Sequence, residues 1–327
     1  MLTYPDFKEK NIVIVFATEG QKFSFLNDNL VVKDNEDNIV LQTTCYRLLA
    51  LWIVGGCSVT SGLLERSKKF AFPILLLSFN FKCIGVWNSP TEGNFLLRKK
   101  QYDFQNISIA KHLVQNKICN QISNLKGIRE KSNFCQEAIQ KLNDFLNQIP
   151  IINEHKVLLG IEGISAKMYF AQWFDGFNWQ GRKPRAKQDP INVMLDIGYT
   201  FLFYLIENML HLYGFDIYQG VYHTNFYKRK SLVCDLQEPF RCLVDKKIKK
   251  AFGLSQVKQD DFEVIKGQYF LKRNKSKEYT KWLLSSLLEN KADIFLFCQG
   301  YYRAFIRGKP IEEFPIFNID KSFHKEE

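Results

Sequence analysis

The sequence predicts an α+β protein, with a small β-rich domain over residues 1–95 followed by a larger all-α domain over 96–327. Three observations carry that prediction. Short β-branched and apolar runs separated by Asn/Asp clusters fill the first hundred residues. Apolar residues at helical spacing, preceded by capping residues, fill most of the remainder. A chain of 327 residues also exceeds what one small core usually organises, which favours two domains.

The elements follow in order. Asn11-Ile-Val-Ile-Val-Phe16 is a β-branched run, and Leu26-Asn-Asp-Asn-Leu30 and Lys33-Asp-Asn-Glu-Asp-Asn38 are turn clusters. Short apolar runs at Leu30–Val32 and Ile39–Leu41 predict a meander of hairpins. Leu48–Val54 reads as a buried strand or helix, which periodicity alone does not separate. Gly55-Gly56 breaks it, and Thr60 or Ser61 offers an N-cap for a helix bearing Leu63, Leu64 and Glu65. Pro73–Phe79 returns to strand composition, and Asn88-Ser-Pro90 is a turn. Ser108 and Ser132 can cap helices with apolar residues at Ile109, Leu113, Ile118 and Ile122, then Ala138, Leu142 and Phe145. Further helices are expected at 155–175, 190–213, 231–252, 275–289 and 291–307, and the polar end from Lys321 is expected to fray.

Composition narrows the function. Hydrophobic residues at 46% and charged residues at 24% exclude disorder and low complexity. The surplus of 45 Lys+Arg over 34 Asp+Glu, a net +11, points to phosphates or another anionic surface. The most apolar runs, Leu48–Val54, Phe70–Phe79 and Phe201–Ile206, fall short of the roughly 18 residues that span a bilayer, so no membrane partner is expected. Met1–Lys10 lacks a signal-peptide pattern. The eight cysteines never form CxxC and read as buried free thiols of a reducing cytoplasm.

Four segments can carry chemistry. In Gly160-Ile-Glu162-Gly163, a glutamate lies inside an apolar helical pattern between two glycines, with Ser165 and Tyr169 on its own face. For a lone Glu the ordinary reading is a solvated helix edge. The stretch from Gly181 to Asn192 places Arg182, Lys183, Arg185 and Lys187 in a proline-containing loop before a helix N-terminus, where anions are favoured. Asp189-Pro190 reads as a cap followed by proline at the first helical position. His223 follows a glycine-containing turn, a place where a structural hydrogen-bonder is the common occupant. In Ser231-Leu-Val-Cys-Asp235-Leu-Gln-Glu238-Pro239-Phe-Arg241, the two acids share a helical face, and Pro239 cannot donate the bond that closes on the Asp235 carbonyl. A histidine with two or three carboxylates from separate helices suits Mn²⁺ or Mg²⁺ better than zinc, and neighbouring cations suggest phosphodiester chemistry.

These segments, in this order, resemble the universal CRISPR adaptation integrases, the larger of the two spacer-acquisition proteins. The resemblance rests on Gly-x-Glu-Gly-x-x-Ala-x-x-Tyr-Phe at 160–170, the basic loop ending Asp189-Pro190-x-Asn192, Gly198-Tyr199, the turn into His223 and the run at 231–241. It covers roughly residues 158–245 and departs at Ile217, where relatives often have proline. It implies a β domain used for homodimerisation and a helical catalytic domain with Mg²⁺ or Mn²⁺ bound by Glu162, His223 and Glu238. Asp235 is then a supporting acid or an alternative ligand, completing the catalytic set. The implied activity is a metal-dependent DNA endonuclease and integrase in which a prespacer 3′-hydroxyl attacks a phosphodiester at a CRISPR repeat. The implied partners are double-stranded DNA and a small ferredoxin-like protein, joined in a heterohexamer, and overall similarity leans toward a type V system. Arg182, Lys183, Arg185, Lys187, Asn192, Lys228, Arg229, Lys230 and Arg241 are the candidate DNA contacts. The competing readings are a repair nuclease without integration and a non-catalytic DNA-binding scaffold.

Overall fold

The computed structural model describes residues 3–17, 21–88, 94–223 and 226–321. The chain divides into two compact units, Met1–Gly93 with Arg273–Tyr279, and Asn94–Lys272 with Thr280–Glu327.

The first unit holds α1 (Tyr4–Lys8), β1 (Asn11–Phe16), β2 (Lys22–Leu26), β3 (Asn29–Lys33), β4 (Ile39–Thr44), β5 (Leu48–Val54), α2 (Ser61–Phe70), β6 (Ile74–Leu77) and β7 (Cys83–Trp87). The hairpin meander is realised in β2-β3-β4, an antiparallel sheet. The remaining strands correct that expectation. They form a mixed sheet in the order β1-β5-β6-β7, with β5 parallel to both β1 and β6. Every residue of β5 is buried, as befits a strand covered on both faces, and this settles Leu48–Val54 as strand. Leu30, Val32, Leu51, Ile53, Leu63 and Phe72 meet in the core. Thr60, rather than Ser61, caps α2 by accepting from the Leu63 N–H.

In the second unit lie α3 (Phe95–Asp103), α4 (Ser108–Lys126), α5 (Asn133–Gln148), α6 (His155–Trp173), α7 (Pro190–Tyr213), α8 (Ser231–Gln237) and α9 (Arg241–Gly253). After β8 (Phe262–Ile265) and β9 (Gln268–Leu271) come α10 (Arg273–Glu289), whose first residues belong to the other unit, and α11 (Lys291–Arg307). The β8–β9 hairpin departs from the expected all-α region. It turns at Lys266-Gly267, both with positive φ, which closes a tight hairpin. Ser132 caps α5, but Ser108 lies inside α4 and its N–H is met by the Asn106 side chain.

By length and composition α7 alone among the described residues could cross a membrane, yet 78% of its apolar window is buried in the fold. It is the central core helix, capped by Asp189 with Pro190 in its first turn. Gly198 lets α9 approach it closely, since a Cβ there would stand 2.4 Å from Val244 Cγ1. All eight cysteines are free. Cys45, Cys135, Cys242 and Cys298 are buried, whereas Cys119 is exposed, which corrects the expectation that all are buried. Residues 89 and 90 of the expected turn, and the end from 322 where fraying is expected, lie outside the described residues.

One feature of α4 positions the site. Asn116, Asn120 and Asn124 recur every fourth residue and are all buried. Asn116 exchanges two hydrogen bonds with the Phe317 backbone, at 2.7 and 2.9 Å. Asn120 donates to the Phe317 and Pro239 carbonyls and accepts from the Ile319 N–H. Asn124 donates to the Cys242 carbonyl and to Tyr169 Oη. The row stitches α4 to the start of α9 and to the segment 317–319.

Candidate active site

Pro239 shapes the site as its chemistry requires. The helix expected over 231–252 breaks into α8, a 3₁₀ turn at Glu238–Phe240 and α9. The Asp235 carbonyl receives the Glu238 N–H instead of a bond from residue 239, and Asn120 meets the Pro239 carbonyl. Glu238 thereby sits at the helix break with only 3% of its side chain exposed.

Asp235 is fully buried, and both its oxygens are occupied. Oδ2 accepts from the Val221 and Tyr222 N–H groups at 2.7 and 3.0 Å. Oδ1 accepts from the His223 N–H at 2.9 Å and contacts His223 Nδ1 at 2.7 Å. Since Oδ1 is an acceptor, this bond needs the proton on Nδ1, and in the neutral ring that leaves the lone pair on Nε2. Of the two acids left open by the sequence, Asp235 is the one that orients the imidazole. Gly220 makes this possible, because a Cβ there would meet Asp235 Oδ2 at 2.8 Å and Ser231 Cβ at 2.7 Å.

Glu162 of α6 and Glu238 converge on one cation, Lys117 of α4. Its ammonium bonds Glu162 Oε1 and lies 2.6 Å from Glu238 Oε2, while Arg241 holds Glu238 Oε1 at 3.0 Å. Burial acts to raise the Glu238 carboxyl, but Arg241 and Lys117 hold it down at about 2. Burial likewise pulls Lys117 down, and Glu238 and Glu162 more than offset this, so its pKa is raised. Above the cluster, the buried Tyr222 ring stands edge-on to His223 and tilted against His155. A cavity of about 300 Å³ opens beside His223, lined by Asn106, Asn153, His155, Gln219 and Tyr222 among others.

Among the described residues no group of three or more His, Cys, Asp or Glu stands at metal-holding distance. The donor set nevertheless fits a hard divalent ion. Glu238 Oε2 is held by Lys117 alone, and among the described residues the buried Ser165 Oγ and Tyr222 Oη have no hydrogen-bond partner. Two carboxylates, one bare imidazole nitrogen and unsatisfied hydroxyls form an oxygen-rich set of the kind magnesium or manganese takes.

The nine candidate DNA contacts separate into two kinds. Lys183, Arg185 and Lys228 are exposed, and Lys228 lies over the exposed Tyr227 ring. The others are engaged within the fold. Arg182 pairs with Asp196 at 2.6 Å and bonds Asn192, Lys230 pairs with Glu207 at 2.6 Å, and Arg241 serves Glu238. Lys187 sits 4.0 Å above the Phe270 ring, and Arg229 bonds Cys234. Asn192 stands apart from these cations. It is fully buried, with its amide joined to Arg182, the Lys183 N–H, the Gly181 carbonyl and Asp189, so it organises the basic loop from within.

Sequence reasoning missed Lys117, Tyr222 and Asp245. Lys117 stands among Val114, Ile118 and the asparagine row, and a cation inside such a pattern was the available signal. Asp245 accepts from Tyr199 and Tyr169 beneath the guanidinium of Arg241, which stacks on Tyr199 at 4.7 Å. Burial pushes its carboxyl up to about 6.

Comparisons with known proteins show the family of the chain. The family model "CRISPR associated protein Cas1" matches residues 14–283. The chain is 30% identical over 278 residues to CRISPR-associated endonuclease Cas1 1 of Thermodesulfovibrio yellowstonii, covering 79% of this chain and 86% of the relative. It is 27% identical over 301 residues to the protein of that name from Archaeoglobus fulgidus, covering 82% and 85%. Three solved structures share the fold. A Cas1 protein from Thermotoga maritima aligns with a TM-score of 0.79 at 16% identity, over 91% of this chain and 98% of that one. A casposase bound to integration product gives 0.76 at 18%, over 95% of each. A chain of a Cas6-RT-Cas1–Cas2 complex gives 0.80 at 21% over 96% of this chain, which spans only 36% of that longer one. Matched along most of its length by the family and by relatives of the same extent, the chain belongs to the Cas1 family of CRISPR-associated endonucleases.

Proposed function

We propose that the chain is the integrase and endonuclease of CRISPR spacer acquisition, and that Glu162, Glu238 and His223 Nε2 hold its Mg²⁺ or Mn²⁺. The observation that supports this most is the convergence of Glu162 and Glu238, from separate elements, on one cation beside an imidazole oriented by buried Asp235. A divalent ion there supplies charge neutralisation and polarisation of the scissile phosphate. The protein's part is to hold the reacting groups in line and exclude competing geometry. A prespacer 3′-oxygen bonds to phosphorus at the repeat edge as the bond to the outgoing 3′-oxygen breaks. The proton of the attacking hydroxyl leaves, and one returns to the departing oxygen. Bond energy is conserved, so no nucleotide cofactor is needed, and water as nucleophile gives hydrolysis by the same route. Exposed Lys183, Arg185 and Lys228 grip the DNA backbone, which positions the duplex without reading its sequence.

The first unit carries exposed apolar side chains at Ile84 and Trp87 of the edge strand β7 and at Ile39 and Val40 of β4. They support a homodimer joined through this region. A small ferredoxin-like partner, a heterohexamer and a cytoplasmic location complete the reading. Half-site integration with Mn²⁺ tests it. His223→Ala is expected to abolish strand transfer while duplex affinity changes less than about twofold. Full integration by a folded His223→Ala protein overturns the metal set, and metal-dependent cleavage without strand transfer in the wild type returns the chain to a simple nuclease.

A further inference from the structure

We infer that Lys117 is a tethered counter-ion of the candidate metal site, holding Glu162 and Glu238 together while no divalent ion is bound and moving to DNA phosphate when one binds. This rests on the metal set proposed above. The side chain reaches the carboxylates from α4, with 8% of its surface exposed. Its ammonium touches one oxygen of each, while the other Glu238 oxygen belongs to Arg241. Among the described residues, Lys117 is the cation that touches both acids.

Charge arithmetic explains why such a residue is useful. Glu162, Glu238 and Asp235 set three negative charges against Lys117 and Arg241, with His223 neutral, leaving the cluster at −1. Without Lys117 the cluster stands at −2, with two carboxylates facing each other in a largely buried setting, which is costly. A divalent ion added beside Lys117 brings the cluster to +1. One phosphodiester charge then restores neutrality, and the displaced ammonium has an anion to pair with. Lys117 thus lowers affinity for the ion in the free protein and couples ion loading to DNA. Such coupling is reciprocal, so the ion tightens DNA by the factor by which DNA tightens the ion.

The test measures Mn²⁺ binding by titration calorimetry, and melting temperature with and without Mn²⁺, on full-length wild type, Lys117→Met and Lys117→Arg. Methionine keeps the apolar stem and removes the charge. Lys117→Met is expected to melt lower without metal, to bind Mn²⁺ at least about tenfold tighter, and to gain more in melting temperature from it. Lys117→Arg retains the charge and stays near the wild type in Mn²⁺ affinity. Adding an oligonucleotide duplex should tighten Mn²⁺ severalfold in the wild type and markedly less in Lys117→Met. Should Lys117→Met fold only in Mn²⁺, that rescue is the expected exchange of one cation for another. A Lys117→Met protein with unchanged or weaker Mn²⁺ affinity, or one that Mn²⁺ does not rescue, overturns the inference. Glu162→Gln separates the two levels of the argument. If it binds Mn²⁺ like the wild type, the metal set itself is wrong. If it loses Mn²⁺ while Lys117→Met is unchanged, only the counter-ion role falls.

Discussion

Asp235 accepts four hydrogen bonds and donates none, so an amide in its place has nowhere to point its NH₂ group. Asp235→Asn should therefore lose about 1–3 kcal/mol of stability and let the imidazole turn. Strand transfer is expected to fall by about 10- to 100-fold, with Mn²⁺ affinity lowered alongside, because the residue behind a metal-binding histidine fixes its orientation. Normal melting and normal turnover together would count against the positioning role. Asp245 offers a separate test through pH. Its carboxyl lies at about 6 in the fold against an ordinary 3.8. Between about pH 4 and 6 the native state keeps a proton that the unfolded chain has released, so stability falls as pH rises through that window. The contribution amounts to up to about 3 kcal/mol, and Asp245→Asn lacks it. Melting curves from pH 4 to 7 should show the wild type losing ground to the variant up to about pH 6 and then running parallel. A constant difference would mean that the fold does not raise the Asp245 carboxyl above its ordinary value.

Among the elements, the turn before α8 and the break after it do most to build the site. Gly220→Ala places a methyl group against Asp235 Oδ2 and Ser231 Cβ, both inside contact distance. Overpacking of this kind costs about 1–3 kcal/mol, and here the displaced group is the one that orients His223. Integration should drop at least about tenfold while salt-dependent DNA binding stays, as a gel-shift and a half-site assay on one preparation would show. The break at Pro239 was legible because a proline's missing N–H has one consequence wherever it occurs. The cap at Asp189, the end of α7 at Tyr213 and the span of α11 were legible for similar local reasons. The parallel pairing of β1, β5 and β6 was not, since strand composition carries no direction and the crossovers are set by distant partners. Lys117 was hidden for a related reason. Its meaning comes from two acids that lie 45 and 121 positions further along the chain.

For the molecule as a whole, the count of 45 Lys+Arg overstates the cations available to DNA around the site. Arg182, Lys230, Arg241 and Lys117 are committed to internal acids. Lys183, Arg185 and Lys228 remain facing water. Replacing these three together by glutamine should reduce the slope of log K against log salt by up to about 3, from the release of about one counter-ion each. An unchanged slope would place the DNA on another face. The sequence could count these cations but not sort them, because pairing depends on residues brought near only by folding. The asparagine row of α4 has a consequence of another kind, in the timing of synthesis. Asn116 finds its backbone partner at Phe317, 201 residues later. At about 5–20 residues per second, ribosomes make α4 roughly 10–40 s before the segment that secures it. A nascent chain thus carries every acid of the site well before the floor beneath them is fastened.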